Sequence, residues 1–175
     1  TALRLSSYER YIPEMRRAGI AGGSQQGVTL GHGDMEPAEA FYPEDAFQLD
    51  RTGRRMARRC PRSPFLLEYE ADLVEAAVRT MHLESVWLDD DLRMTGGAEG
   101  CFCERCIRAF NSEYGLELTR EELVRRLDSA VLKEPLREKW RLFKNKTLAV
   151  FAAAGVFAAH EGGPPPYPNF GLPRG

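Results

Sequence analysis

The sequence predicts an α/β fold in which helices cover parallel strands. Short apolar runs of strand length alternate with longer segments whose apolar residues recur at helical spacing, and strand followed by helix, repeated, is the pattern of a parallel sheet. A hydrophobic content of 43% over 175 residues is enough for one core, so residues 1–175 read as a single domain.

Ser6 or Ser7 caps a first helix whose Tyr8, Tyr11, Ile12 and Met15 fall on one stripe, and Gly19 ends it. Gly27-Val28-Thr29-Leu30 reads as a weak strand running into Gly31-His32-Gly33, after which a Pro- and Arg-containing loop extends to about Arg62. Ser63 as N-cap and Pro64 in the first turn open a helix to about His82, with Leu66, Tyr69, Leu73 and Ala77 on its core face. Ser85-Val86-Trp87-Leu88 is too short for a helix and rich in strand formers, so it reads as a buried strand that stops at Asp89. The C-terminal half is helical. One helix runs from Cys103 to about Glu113 before Gly115, a second opens on the capping box of Thr119 and Glu122, and a long third carries Pro135 in its first turn. Leu136, Trp140, Phe143, Thr147, Val150 and Ala154 mark the packed face of that last helix, and Asn169-Phe170-Gly171-Leu172 could begin a further strand.

A formal net charge of −2 argues against a dedicated nucleic-acid binder, which carries a basic excess. No apolar run approaches the roughly 20 residues that cross a bilayer, and the residues from Thr1 onward lack the basic and apolar regions of a secretion signal. No membrane partner is expected, and the cytoplasm is the expected compartment. Arg51, Arg54, Arg55, Arg58, Arg59 and Arg62 form a local basic exception without interleaved aromatics. They read as a solvated arginine-rich loop or helical turn, with a phosphate-binding patch as the alternative.

Three of the four cysteines lie in GCFCERC, where Cys101, Cys103 and Cys106 form CxCxxC, and Cys60 stands about forty residues upstream. Four thiolates complete a closed tetrahedral zinc site, and their spacing at a helix start lets several sulfurs converge on one ion. Two disulfides would need an oxidising compartment, and cysteines one or two residues apart bridge each other poorly. A redox pair in Cys103-Glu104-Arg105-Cys106 is the third reading, although such a motif is expected straight after a strand and without two attendant cysteines. With no ligand position open, a zinc ion here would be structural.

The stretch from Val28 to Gly115 resembles glycoside hydrolase family 42, the β-galactosidases. The resemblance is carried by a strand ending in Trp87 and acidic residues, a Gly-containing loop, CxCxxC and an aromatic-rich helix. Trp87 stands fourteen residues before Cys101, and Cys60 lies where the family has its fourth zinc cysteine. The resemblance implies a (β/α)8 TIM barrel, a structural Zn2+ on Cys60, Cys101, Cys103 and Cys106, β-linked galactoside-type sugars as partner, and retaining hydrolysis by two glutamates. It also implies a homo-oligomer. In a gap-free match, Asp90 and Asp91 fall on the family's Asp and Asn, and Leu92 falls on its acid/base Glu. Leucine cannot move a proton, so Asp91, with Asp90 beside it, is the candidate for the acid's role. The nucleophile's strand would lie beyond Gly175. Two or three strands are expected here and a closed barrel takes about 200 residues at minimum, so the chain reads as part of a barrel with a zinc-binding loop at about 95–106.

Parallel strands carry their chemistry at their C-terminal ends. One such end bears His32 between glycines, and the other bears Asp89, Asp90, Asp91 and Arg93. Alternation puts Asp89 and Asp91 on one face with Trp87, where crowded carboxylates raise one another's pKa or grip a cation. Strand-end caps paired with Arg93 are the alternative for the acids, and a loop-base hydrogen bond the alternative for His32. Catalytic candidates are therefore Asp91 and Asp90, with His32, Asp89 and Arg93 as substrate contacts. The expected function is a glycoside hydrolase-like protein acting on or binding β-linked sugars, this chain alone showing little hydrolysis. A non-enzymatic zinc-stabilised carbohydrate-binding module is one alternative. A metal-dependent glycosyltransferase using Asp89-Asp90-Asp91 as a DxD site is another, and it lacks a Gly-rich phosphate loop.

Overall fold

The computed structural model describes residues 11–20, 23–26, 39–81, 85–88, 92, 94, 100–128 and 135–161. In chain order these form helix α1 (Ile12–Arg17), strand β1 (Gly23–Gln26), two short 3-10 turns, β2 (Phe47–Leu49), β3 (Arg55–Arg59), α2 (Pro64–Met81), β4 (Ser85–Leu88), α3 (Glu104–Tyr114), α4 (Arg120–Asp128) and α5 (Pro135–Glu161).

The expectation of parallel strands from a TIM barrel is overturned, because the described residues are mostly helical. Their four strands, of three to five residues, form two separate two-stranded ladders. β1 pairs in parallel with β4, Gly23 opposite Ser85 through Gln26 opposite Leu88, while β2 and β3 form an antiparallel hairpin. The physical reason lies after β4, where the described residues form three successive helices. Their apolar faces cover one another: Ile107 and Phe110 of α3, Leu123 of α4, and Leu136, Trp140 and Phe143 of α5 share one buried cluster with the four cysteines and Phe102. Phe110 stands edge-on to Trp140 at 5.0 Å between centroids, and Trp140 stacks on Phe143 at 5.5 Å. A second cluster, of Tyr42, Ala46, Phe47, Leu66 and Phe151, joins the hairpin to α2 and α5.

Several local signals are realised closely. Ser63 caps α2, its hydroxyl accepting from Leu66 N at 3.4 Å, and Pro64 is the first helical residue. β4 covers the four residues expected. Gly115 ends α3 in the left-handed conformation with φ 62°. Thr119 N donates to Glu122 Oε2 at 2.8 Å while Glu122 N donates to Thr119 Oγ1 at 3.2 Å, the reciprocal capping box.

Others need correction. The first strand lies at Gly23–Gln26, and the expected strand at residues 27–30 falls outside the described residues, as do residues 169–172. Tyr11 is exposed at the start of α1, and among the described residues Ile12 and, in part, Met15 hold that stripe; Ser6, Ser7 and Tyr8 lie outside them. On α2 the buried positions are Leu66, Glu70, Val74 and Ala77, a face turned by about one residue from the expected one. Of the arginine segment, Arg55, Arg58 and Arg59 lie in a strand, β3, instead of the expected loop or helical turn, while Arg51, Arg54 and Arg62 lie in the turns on either side of it.

Candidate metal centre

Hairpin, loop and helix bring the four cysteines to one point. Cys60 follows β3 directly, and its amide donates to Ala46 O at 2.7 Å, so its place is set by the hairpin. Its carbonyl accepts from Ser63 N at 2.9 Å, the turn that launches α2. Cys101 and Cys103 flank Phe102, whose amide donates to Leu49 O of β2 at 2.8 Å and whose ring lies 5.2 Å from that of Trp140. Cys103 is the N-cap of α3, and Cys106 sits one turn in. The loop enters through Gly100 at φ 93°, where a Cβ would meet Lys144 Cδ at 2.5 Å.

All four sulfurs lie within 4.8 Å of one another, and all four residues are buried, none more than 7% exposed. Cys60 Sγ is 3.5 Å from Cys106 Sγ and 3.7 Å from Cys103 Sγ. A tetrahedron with Zn–S bonds of about 2.3 Å has S···S edges of about 3.8 Å, so the donor set fits a tetrahedral ion. None of the four is in a disulfide.

The electrostatics of the cluster are those of thiols crowded away from water. Hydrogen bonds from Cys101, Cys106 and Cys60 hold the Cys103 sulfur far below the usual thiol range. Donation towards Cys101 and Cys103, with burial adding to it, pushes the Cys60 and Cys106 thiols well up. A divalent cation resolves this arrangement by replacing the shared protons. Cationic compensation is close by. Arg105, between two of the sulfurs in sequence, pairs with Asp45 at 2.6 Å; burial opposes its charge, but the hydrogen bond to Asp45 outweighs that and keeps it charged.

The expected sugar-contacting residues divide differently. His32, Asp89, Asp90, Asp91 and Arg93 lie outside the described residues. Trp87 is 65% exposed on β4, the strand leading towards the acidic triplet, and so is not the buried strand residue expected. Leu92, which the resemblance sets at an acid/base position, packs against the cluster built around Tyr42, Phe47, Leu66 and Phe151.

Arg54 pairs locally with Asp50 at 3.4 Å, whereas Arg51, Arg55, Arg59 and Arg62 meet partners that no local spacing reveals. Arg51 bonds Asp128 at 2.6 Å, Arg55 lies 3.6 Å from Glu44 and 3.8 Å over the Phe47 ring, and Arg59 covers Tyr42 at 4.2 Å. Arg62 sits 5.6 Å over Phe143. Residues that sequence reasoning passed over are Arg120 and Asp45, which brace the cysteine loop through Phe102 O and Arg105. Their only sequence signal is position, beside the capping box and just before the hairpin.

Among the described residues, no helix is long and apolar enough to cross a membrane. Compared with protein families, with curated proteins and with solved structures, the chain gives no match.

Proposed function

We propose that this chain is a glycoside hydrolase-like, zinc-stabilised protein that binds β-linked, galactoside-type sugars. In this reading Cys60, Cys101, Cys103 and Cys106 hold a structural Zn2+. The observation that carries the proposal is the buried four-sulfur cluster, all within 4.8 Å, with Cys60 Sγ at 3.5 and 3.7 Å from two of its companions. Four protein sulfurs leave no coordination position for substrate or water, so the ion braces the loop and takes no part in bond breaking.

Support for the sugar comes from β4. An exposed indole offers its flat face to the C–H side of a pyranose, and the adjoining Asp89, Asp90 and Asp91 supply acceptors for hydroxyl groups. His32 and Arg93 complete the proposed contacts. Leu92 among apolar neighbours favours binding over hydrolysis, since that position supplies no proton.

Two measurements test the reading. Elemental analysis of the reduced protein is expected to give one zinc per chain. Titration with lactose is expected to quench the fluorescence of Trp87 and to lose that response in Trp87→Ala; Trp140 is buried and serves as an internal reference. Lack of any lactose response overturns the sugar assignment, and turnover of an aryl β-galactoside that Asp91→Asn abolishes overturns the binding-only role.

A further inference from the structure

The residue between the first two cysteines of the loop is tied at each of its polar groups. Phe102 is fully buried; its amide donates to Leu49 O at 2.8 Å, and its carbonyl accepts from Arg120 Nε at 2.9 Å. The guanidinium that makes this bond has its own fixed bed. It lies across the hairpin turn at Gly53, where φ is +86° and a Cβ would stand 2.6 Å from Arg120 Nη1. That turn is stiff. Gly53 N donates to Asp50 O at 3.0 Å, and the Asp50 carboxylate accepts from Thr52 N at 2.8 Å, Thr52 Oγ1 at 2.7 Å and Arg54 N at 3.0 Å. At its other end Arg120 is the first residue of α4, held by the Thr119–Glu122 capping box.

We infer that Arg120 is a positioning residue for the metal loop: laid over Gly53, it holds the Phe102 carbonyl and so fixes Cys101 and Cys103 relative to Cys60. This rests on the proposed zinc site. Cys60 is anchored through the hairpin, and Cys106 through α3, so the segment with freedom to swing away from the ion is Cys101–Cys103. Besides the packing of the Phe102 ring on Trp140 and the bond from Ile107 N to Cys103 O at 3.0 Å, the Phe102 backbone is held by the Leu49 bond and the Arg120 bond. Removing a charge-assisted donor from a buried carbonyl leaves that carbonyl desolvated without this partner, which raises the energy of the closed loop. Metal release requires the loop to open, and Arg120 opposes that step.

The test is zinc transfer from the loaded full chain to excess pyridylazoresorcinol, followed by absorbance, beside a thermal melt of each variant. Arg120→Ala is expected to release zinc about tenfold faster, the factor that corresponds to one such hydrogen bond. Arg120→Lys keeps a cationic donor and falls between. Gly53→Ala keeps the arginine but intrudes on its bed; it is expected to speed release as well, and it decides the question if Arg120→Ala fails to fold. Asn111→Ala removes the bonds from Asn111 to Leu118 O and N, at 2.8 and 3.2 Å, outside the metal loop. It is expected to lower the melting temperature while leaving the release rate within twofold of the parent. Release from Arg120→Ala at the parent rate overturns the inference, as does equal acceleration in Asn111→Ala. A parent chain that takes up no zinc overturns the metal reading itself, a separate result.

Discussion

Glu70 is fully buried on α2, between Leu66 and Val74, and among the described residues neither of its carboxylate oxygens has a hydrogen-bond partner. Burial pushes its pKa from the usual 4.5 to about 8. The folded state therefore holds this proton over a range in which the unfolded chain has lost it. Stability is unaffected by the group below about pH 4.5, falls as pH rises towards 8, and stays lowered above that. Glu70→Gln mimics the protonated form at every pH. Its advantage over the parent is expected to grow by about 2 kcal/mol between pH 6.5 and 9, read as a widening gap in urea midpoints. A constant gap would show that Glu70 titrates normally. The same residue explains why the core face of α2 was misplaced from sequence. An apolar stripe through Leu66, Tyr69, Leu73 and Ala77 avoids a carboxylate, whereas the packed helix turns Glu70 inward and leaves Tyr69 and Leu73 half-buried.

At the scale of elements, what was legible is what chemistry writes locally. Ser63-Pro64, the Thr119–Glu122 box and Gly115 each act within one turn of helix, so spacing alone placed the starts of α2 and α4 and the end of α3. Thr119→Ala is expected to lower stability by about 1 kcal/mol in chemical denaturation. Gly100→Ala is expected to cost more, about 2 kcal/mol or above, because a left-handed backbone and the buried Lys144 stem both oppose the new methyl group. The hairpin was illegible for a different reason. A strand is recognised by alternation of apolar and polar side chains, and β3 carries arginines whose stems and guanidinium planes serve in place of apolar groups, over Phe47 and Tyr42. Two of the acids that neutralise this segment, Asp128 for Arg51 and Glu44 for Arg55, come from other parts of the chain. Arg120 was missed likewise, since its role depends on a carbonyl 18 residues away.

For the molecule as a whole, alternation of strand-like and helix-like runs suggested a helix-covered parallel sheet, yet only β1 and β4 pair in that sense among the described residues. The last three helices enclose a core of aromatic rings and cysteines, and α5 also reaches the hairpin through Phe151. That core makes the proposed ion a condition of stability, because four crowded thiols occupy a place that apolar groups fill in other domains. Adding a strong zinc chelator to the loaded protein is expected to lower its melting temperature, and a metal that binds only the folded chain stabilises it in proportion to the logarithm of its free concentration. Cys60→Ser, which removes the ligand fixed by the hairpin, is expected to abolish the chelator effect by leaving a site that no longer retains zinc.

X-ray absorption at the zinc edge, on reduced protein titrated with Zn2+, addresses the metal most directly. Uptake of one ion per chain, with a first shell of four sulfurs at about 2.3 Å, is the predicted result. A shell rich in nitrogen or oxygen, or thiols that take up no stoichiometric metal, would contradict the account.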